Sequence, residues 1–168
     1  FAFLHLSIEF RVNGSGKSTL FYLIAGLIQC SAGKITVGDA DPIALKETEF
    51  PQKLFFLPQD DAEFNFTAME LYQVLLPDHI DTVLKIAAGF QLPKEIIMKT
   101  KISELSGGER KKVFLSLAFA FDSTIMLLDE PTNSLDRAAK EELKRLLTER
   151  LGGAVIITHD DIFDDIAD

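Results

Sequence analysis

The sequence predicts an α/β fold, a mainly parallel sheet with a small α-helical subdomain inserted into it. Three observations carry this. A glycine-rich loop, Val12 to Thr19, runs directly into apolar residues at helical spacing (Leu20, Leu23, Ile24, Leu27). Short apolar runs end at Pro58, at Asp129-Glu130 and at His159, as strands do at the edge where parallel α/β sheets bind ligands. Residues from about 67 to 100 carry helical spacing without strand signals.

A chain of 168 residues, 47% hydrophobic, can bury one core and a small satellite subdomain, and two full domains do not fit. The 17 Lys and Arg stand against 26 Asp and Glu, a formal charge of −9, with acids thickening toward Asp168. That balance argues against a nucleic-acid partner. Cys30 is the lone cysteine, which excludes an intramolecular disulfide or a Cys-rich zinc site and fits a reducing compartment. No apolar run approaches the roughly 20 residues that span a bilayer, so the chain is expected to be soluble by itself.

In chain order, Phe1 to Phe10 alternates and reads as a half-buried strand. Next comes the loop. Gly14 and Gly16 let successive backbone N–H groups turn inward into an anion-binding nest, with Asn13 and Ser15 between and before them. The helix expected over 18–28 aims its positive dipole end at the same point. Lys17 adds a point charge for nucleotide phosphates, and Ser18, beside Thr19, is placed to hold Mg²⁺. The full phosphate-loop pattern wants glycine at position 11, where this chain has arginine.

Ser31-Ala32-Gly33 turns into a short strand expected at Lys34 to Val37, and a polar stretch follows. Leu54 to Leu57 is a buried strand, stopped by Pro58 just before Gln59. Pro77 and Pro93 break the helical insert into pieces. Leu105-Ser106-Gly107-Gly108-Glu109 is a second small-residue turn entering a helix, where an anion can approach closely. Thr124 to Leu128 is a strand ending in Asp129 and Glu130. Asp136 to Arg150 is an amphipathic helix carrying a Glu141 to Arg145 pair at i,i+4, closed by Gly152-Gly153. Ala154 to Thr158 is the last strand, with His159 at its end.

These residues resemble the nucleotide-binding domain of ATP-binding cassette (ABC) proteins, a P-loop NTPase core with a helical subdomain. Val12 to Leu20 looks like the Walker A loop and Gln59 like the Q-loop. Leu105 to Glu109 looks like the signature motif, and Ile125 to Glu130 like Walker B with its following glutamate. Ser134-Leu135-Asp136 looks like the D-loop, and His159 like the switch histidine. The motifs run in family order from Val12 to the C-terminus. The resemblance implies one cassette over 1–168, with its core at 1–59 and 106–168 and the helical subdomain at about 60–105. It implies ATP and Mg²⁺ as cofactors.

By the same resemblance, Asn13 to Thr19 cradle the phosphates, and Ser18, Gln59 and Asp129 serve the metal. Glu130 is the general base for the attacking water, and His159 contacts the γ-phosphate and orients it. Ser106, Gly107, Gly108 and Asp136 would complete the nucleotide site of a second cassette, so that two copies enclose two ATP. The implied partners are that second cassette and a transmembrane transporter subunit, with the chain peripheral on the cytoplasmic face of the membrane. A soluble family member acting in translation or DNA maintenance is the alternative.

Phe64 and Phe66 are expected to line the groove that receives a short helix from the membrane domain. The first strand looks like one that precedes the loop at a distance, so residues are expected to be missing between Arg11 and Val12, as at both ends.

Overall fold

The computed structural model describes residues 16–36, 41–44 and 53–166. The predicted strand at 1–10, the Arg11–Val12 junction and Asn13, Gly14 and Ser15 lie outside these residues.

Three parallel strands form the described sheet: β1 (Leu54–Leu57), β2 (Ile125–Asp129) and β3 (Gly153–Ile157), in that spatial order. Leu54 is paired with Ile125 and Leu57 with Leu128, while Asp129 is paired with Ile157. Side chains alternate across a strand, and parallel register keeps like faces together. Leu54, Leu127 and Ile157 accordingly face one side, where they pack with Phe21 and Ala25. Leu57, Met126 and Leu128 face the other, inside the larger core. Both faces are covered, which is why these strands read as continuous apolar runs and not as alternating ones.

The first face is covered by α1 (Lys17–Ile24), whose Phe21 meets Phe56 edge-on at 6.0 Å between ring centroids. The predicted helix over 18–28 is shorter in the structure. Gly26 takes a left-handed φ of 68°, Gly26 N–H donates to the Leu23 carbonyl and Leu27 N–H to the Tyr22 carbonyl, a pair of bonds that closes the helix. Residues 34–36 of the strand expected at Lys34 to Val37 are irregular, and Val37 lies outside the described residues.

The second face carries the helices. After β1 the chain forms α2 (Ala68–Leu75), a 3₁₀ turn at Pro77–His79, α3 (Ile80–Gly89), α4 (Lys94–Lys99) and α5 (Gly107–Ala120). The breaks fall at Pro77 and at Pro93, as the sequence predicts. Val83 and Ala87 of α3 pack along α5, whose Val113, Leu115 and Ala118 have no exposed surface. Tyr72 on α2 is fully buried, and its hydroxyl donates to the Val113 carbonyl at 3.2 Å. Burial pushes that phenol's pKa well up.

Between β2 and β3 runs α6 (Arg137–Glu149), capped by the Asp136 side chain, which accepts from Ala139 N–H at 2.9 Å. Arg145 on this helix pairs with Glu142 and Glu149 instead of the predicted Glu141. One helical turn offers Arg145 a carboxylate on each side, at i−3 and i+4, and its planar fork takes both.

Candidate functional site

Parallel strands end on one edge, and the chain places its polar residues there. Gln59 follows β1, Asp129 and Glu130 end β2, and His159 follows β3. Lys17 and Ser18 open α1, directly after Gly16 at φ 87°. Among the described residues no side chain caps this helix, and a helix N-terminus presents the positive end of its dipole to an anion.

Ser18 and Asp129 meet although 111 positions separate them: the serine Oγ donates to Asp129 Oδ2 at 2.6 Å. Asp129 is 2% exposed. A hydroxyl and a buried carboxylate converging beside phosphate donors form an all-oxygen set, the kind that holds Mg²⁺ through one or two protein ligands with the rest from water and phosphate. These two residues fit that ion.

Glu130 is 8% exposed and lies in the left-handed backbone region at φ 48°. Its N–H donates to the Ile157 carbonyl at 2.7 Å, which fixes this turn to the end of β3. The turn aims Glu130 Oε1 at His159 Nε2, 3.5 Å away, and His159 itself is exposed. Thr132 and Thr158, which follow β2 and β3, bring their hydroxyls to 3.3 Å of each other. Gln59 is exposed, and its carbonyl accepts a hydrogen bond from Lys111 at 3.0 Å.

Gly107 and Gly108 stand against Ser134, with Ser106 just before them in the chain and Asp136 two residues after Ser134. Ser106 caps α5: its Oγ bonds Glu109 Oε2 at 2.6 Å and accepts from Glu109 N–H at 3.3 Å, while the same carboxylate accepts from Ser106 N–H at 2.9 Å. These bonds hold the Glu109 carboxyl below its ordinary range. A Cβ on Gly108 would stand 2.5 Å from the Ser134 carbonyl oxygen, so the turn at 131–134 packs against bare backbone. Asp136 pairs with Lys112 at 2.6 Å, and that bond with the Ala139 N–H lowers its carboxyl pKa.

Phe64 and Phe66 are half-buried and stacked on one another, centroids 4.9 Å apart, with Phe64 also against Phe114. Part of each ring remains open to solvent.

Sequence reasoning overlooked three features. The capping boxes at Thr67/Glu70 and Ser106/Glu109 were legible as Ser/Thr followed three residues later by Glu. Lys111, 2% exposed, lies on the same helix face as Phe114, Leu115 and Ala118, and a lysine on an apolar face signals a buried partner. Ser134 is legible by resemblance in Ser134-Leu135-Asp136, but its contact gives no local signal, since it is a backbone carbonyl that meets Gly108.

A family model described as ABC transporter matches residues 12–133. A sulfate/thiosulfate import ATP-binding protein of Agrobacterium fabrum is 34% identical over 169 residues, which cover 88% of this chain and 46% of that protein. The ATP-binding protein Uup of Escherichia coli is 33% identical over 153 residues, 91% of this chain and 23% of that one. The chain therefore spans less than half the length of these curated relatives. Among solved structures, a dimeric post-hydrolysis state of an ATP-binding cassette bound to ADP and Pi superposes with a TM-score of 0.74 at 25% identity, covering 92% of this chain and 73% of that one. With its motifs gathered at the edge of a parallel sheet and a family model spanning most of its length, the chain belongs to the ABC transporter family and carries that family's P-loop ATPase cassette.

Proposed function

We propose that this cassette hydrolyses ATP as the nucleotide-binding subunit or domain of a membrane transporter, dimerising around two ATP molecules. The observation that carries the reading is the convergence at one edge of the sheet: Ser18 on Asp129 at 2.6 Å, and Glu130 facing His159 at 3.5 Å. In this reading Asn13 to Thr19 hold the phosphates, with Lys17 as a point charge. Ser18 and Asp129, with Gln59, hold Mg²⁺, which when bound spreads the charge developing on the phosphate oxygens.

Glu130 is the general base. Its carboxylate takes a proton from water as the water oxygen bonds the γ-phosphorus, the bond to the ADP oxygen breaks, and ADP and Pi leave. His159 orients that carboxylate and contacts the γ-phosphate. Burial of Asp129 and Glu130 keeps both in a low-dielectric pocket, where aimed charges act more strongly than in water. Ser106, Gly107 and Gly108 at the start of α5, with Asp136, complete the partner cassette's site, so ATP joins two copies and hydrolysis releases them.

The chain divides functionally into a core at 1–59 and 106–168 and a helical subdomain at about 60–105. Among the described residues no helix is long and apolar enough to cross a membrane. The cassette lies on the cytoplasmic face, with the half-open Phe64 and Phe66 receiving a helix of the membrane subunit.

Glu130→Gln tests the base role. The variant keeps the shape of the carboxylate, so nucleotide binding is retained, turnover falls about a hundredfold or more, and an ATP-bound dimer accumulates on size-exclusion chromatography. Steady-state hydrolysis at the parent rate would remove Glu130 from that role. A second reading is a cassette acting away from membranes in translation or DNA maintenance; the similarity to the ATP-binding protein Uup, whose name states ATP binding and not transport, leaves room for it. ATPase activity stimulated by RNA and indifferent to membrane subunits would select it.

A further inference from the structure

Two consecutive cations near the start of α5 hold the segment that follows β1. Lys111 Nζ lies 2.8 Å from Asp61 Oδ1 and donates to the Gln59 carbonyl at 3.0 Å. Both side chains of this ion pair are nearly closed to solvent, 3% and 9% exposed. Arg110 pairs with Glu63 at 2.7 Å and donates to the Leu105 carbonyl at 3.1 Å. Further along, the N–H groups of Ile102 and Ser103 donate to the carbonyls of Phe66 and Phe64, each at 2.9 Å. Segment 59–66 is thus laced to 102–111 along its length.

Stability alone does not account for Lys111. Burying an ammonium and a carboxylate costs about as much as their attraction returns, and apolar residues of similar volume often serve a core as well or better. Both members of the pair are nearly closed to solvent, so it carries a desolvation cost that persists in the folded state. What an apolar pair could not supply is the hydrogen bond to the Gln59 carbonyl. Gln59 is exposed, and Lys111 fixes the backbone from which its side chain extends.

We propose that Lys111 is a positioning residue: it ties the backbone at Gln59 to the helix that begins at Ser106-Gly107-Gly108, so the sheet-edge loop and the start of α5 move as one body. This rests on the reading above, in which Gln59 and the Ser106 turn both serve nucleotide. Lys111 touches neither nucleotide nor metal in that reading and acts through Gln59.

The test measures Mg·ATP turnover, binding of a fluorescent ATP analogue and thermal unfolding on the same samples of full-length protein. Lys111→Met is expected to lower kcat about tenfold or more, with KM and analogue affinity within about threefold of the parent. Lys111→Arg keeps a charge and a donor and recovers roughly a third or more of kcat. The double variant Lys111→Met/Asp61→Leu leaves no buried charge unpaired. It regains the thermal midpoint but not kcat, because the Gln59 carbonyl still lacks its donor.

Recovery of kcat together with the midpoint would reduce the pair to a core contact and overturn the proposal, as would a parent-like kcat in Lys111→Met. Gln59→Ala separates the two layers. A parent rate in Gln59→Ala sinks the role of Gln59 and this inference with it, whereas loss of turnover there beside a parent-like Lys111→Met sinks the inference alone.

Discussion

Glu130 and Ser134 both take φ above zero, at 48° and 64°, within one short turn after β2. For residues with a Cβ this region costs about 1 kcal/mol or more, and surrounding contacts must hold it. Here the Glu130 N–H bond to Ile157 holds one end, and the packing of Ser134 on Gly108 holds the other. The two glycines of the Ser106 turn are therefore not equivalent. A Cβ at Gly107 would stand 3.3 Å from Ser134 Oγ, a side-chain atom that can rotate away, whereas one at Gly108 would stand 2.5 Å from a backbone oxygen. Gly108→Ala is expected to cost about 1–3 kcal/mol, as overpacking does, and to displace the turn that carries Glu130. Gly107→Ala should cost a fraction of that. Chemical denaturation of the two variants checks it; equal losses would mean that Ser134 yields as easily as a side chain.

At the scale of elements, α6 is tied to the segment after β3 by Lys140–Asp160 and Lys144–Asp165. The bond from Lys140 is the main reason the Asp160 carboxyl lies below its ordinary range. A carboxylate with a lowered folded pKa stabilises the fold fully above its unfolded value, near pH 4, and loses that contribution as pH falls through the lowered value. Asp160→Asn keeps the side-chain acceptor that caps the 3₁₀ turn at Ile162 N–H and removes only the charge. The variant should lose about 1 kcal/mol at pH 7, read as a lower thermal midpoint, and the gap from the parent should close below pH 4. A gap that stays constant across this range would assign the effect to packing. Local signals of this kind were partly legible. Pro58, Pro77 and Pro93 mark real boundaries because proline acts through its own backbone. Gly26 carried the stop signal for α1, but the apolar Leu27 and Ile28 beyond it prolong the helical spacing although they are 61% and 41% exposed.

For the whole molecule, the sheet was legible because strands covered on both faces leave continuous apolar runs, and the edge proposed as the site was legible because each run ends in polar residues. The joints between layers were not, since Lys111 meets Asp61 only when α5 folds back onto the segment after β1, and Gly108 meets Ser134 only when it packs on the turn after β2. The same folding leaves Ser106 and Gly107 exposed. If a second cassette's nucleotide covers that turn, bulk placed there blocks assembly while leaving the chain's own phosphate loop untouched. Ser106→Arg is expected to bind nucleotide within about threefold of the parent yet lose turnover about a hundredfold and stay monomeric with ATP. Arginine also removes the cap on α5, worth about 1 kcal/mol, so Ser106→Ala serves as the control: it loses the cap, adds no bulk, and should keep a dimer on ATP. Light scattering with and without ATP reads both variants. An ATP-dependent dimer in Ser106→Arg, or full turnover by its monomer, would refute a site shared between two cassettes.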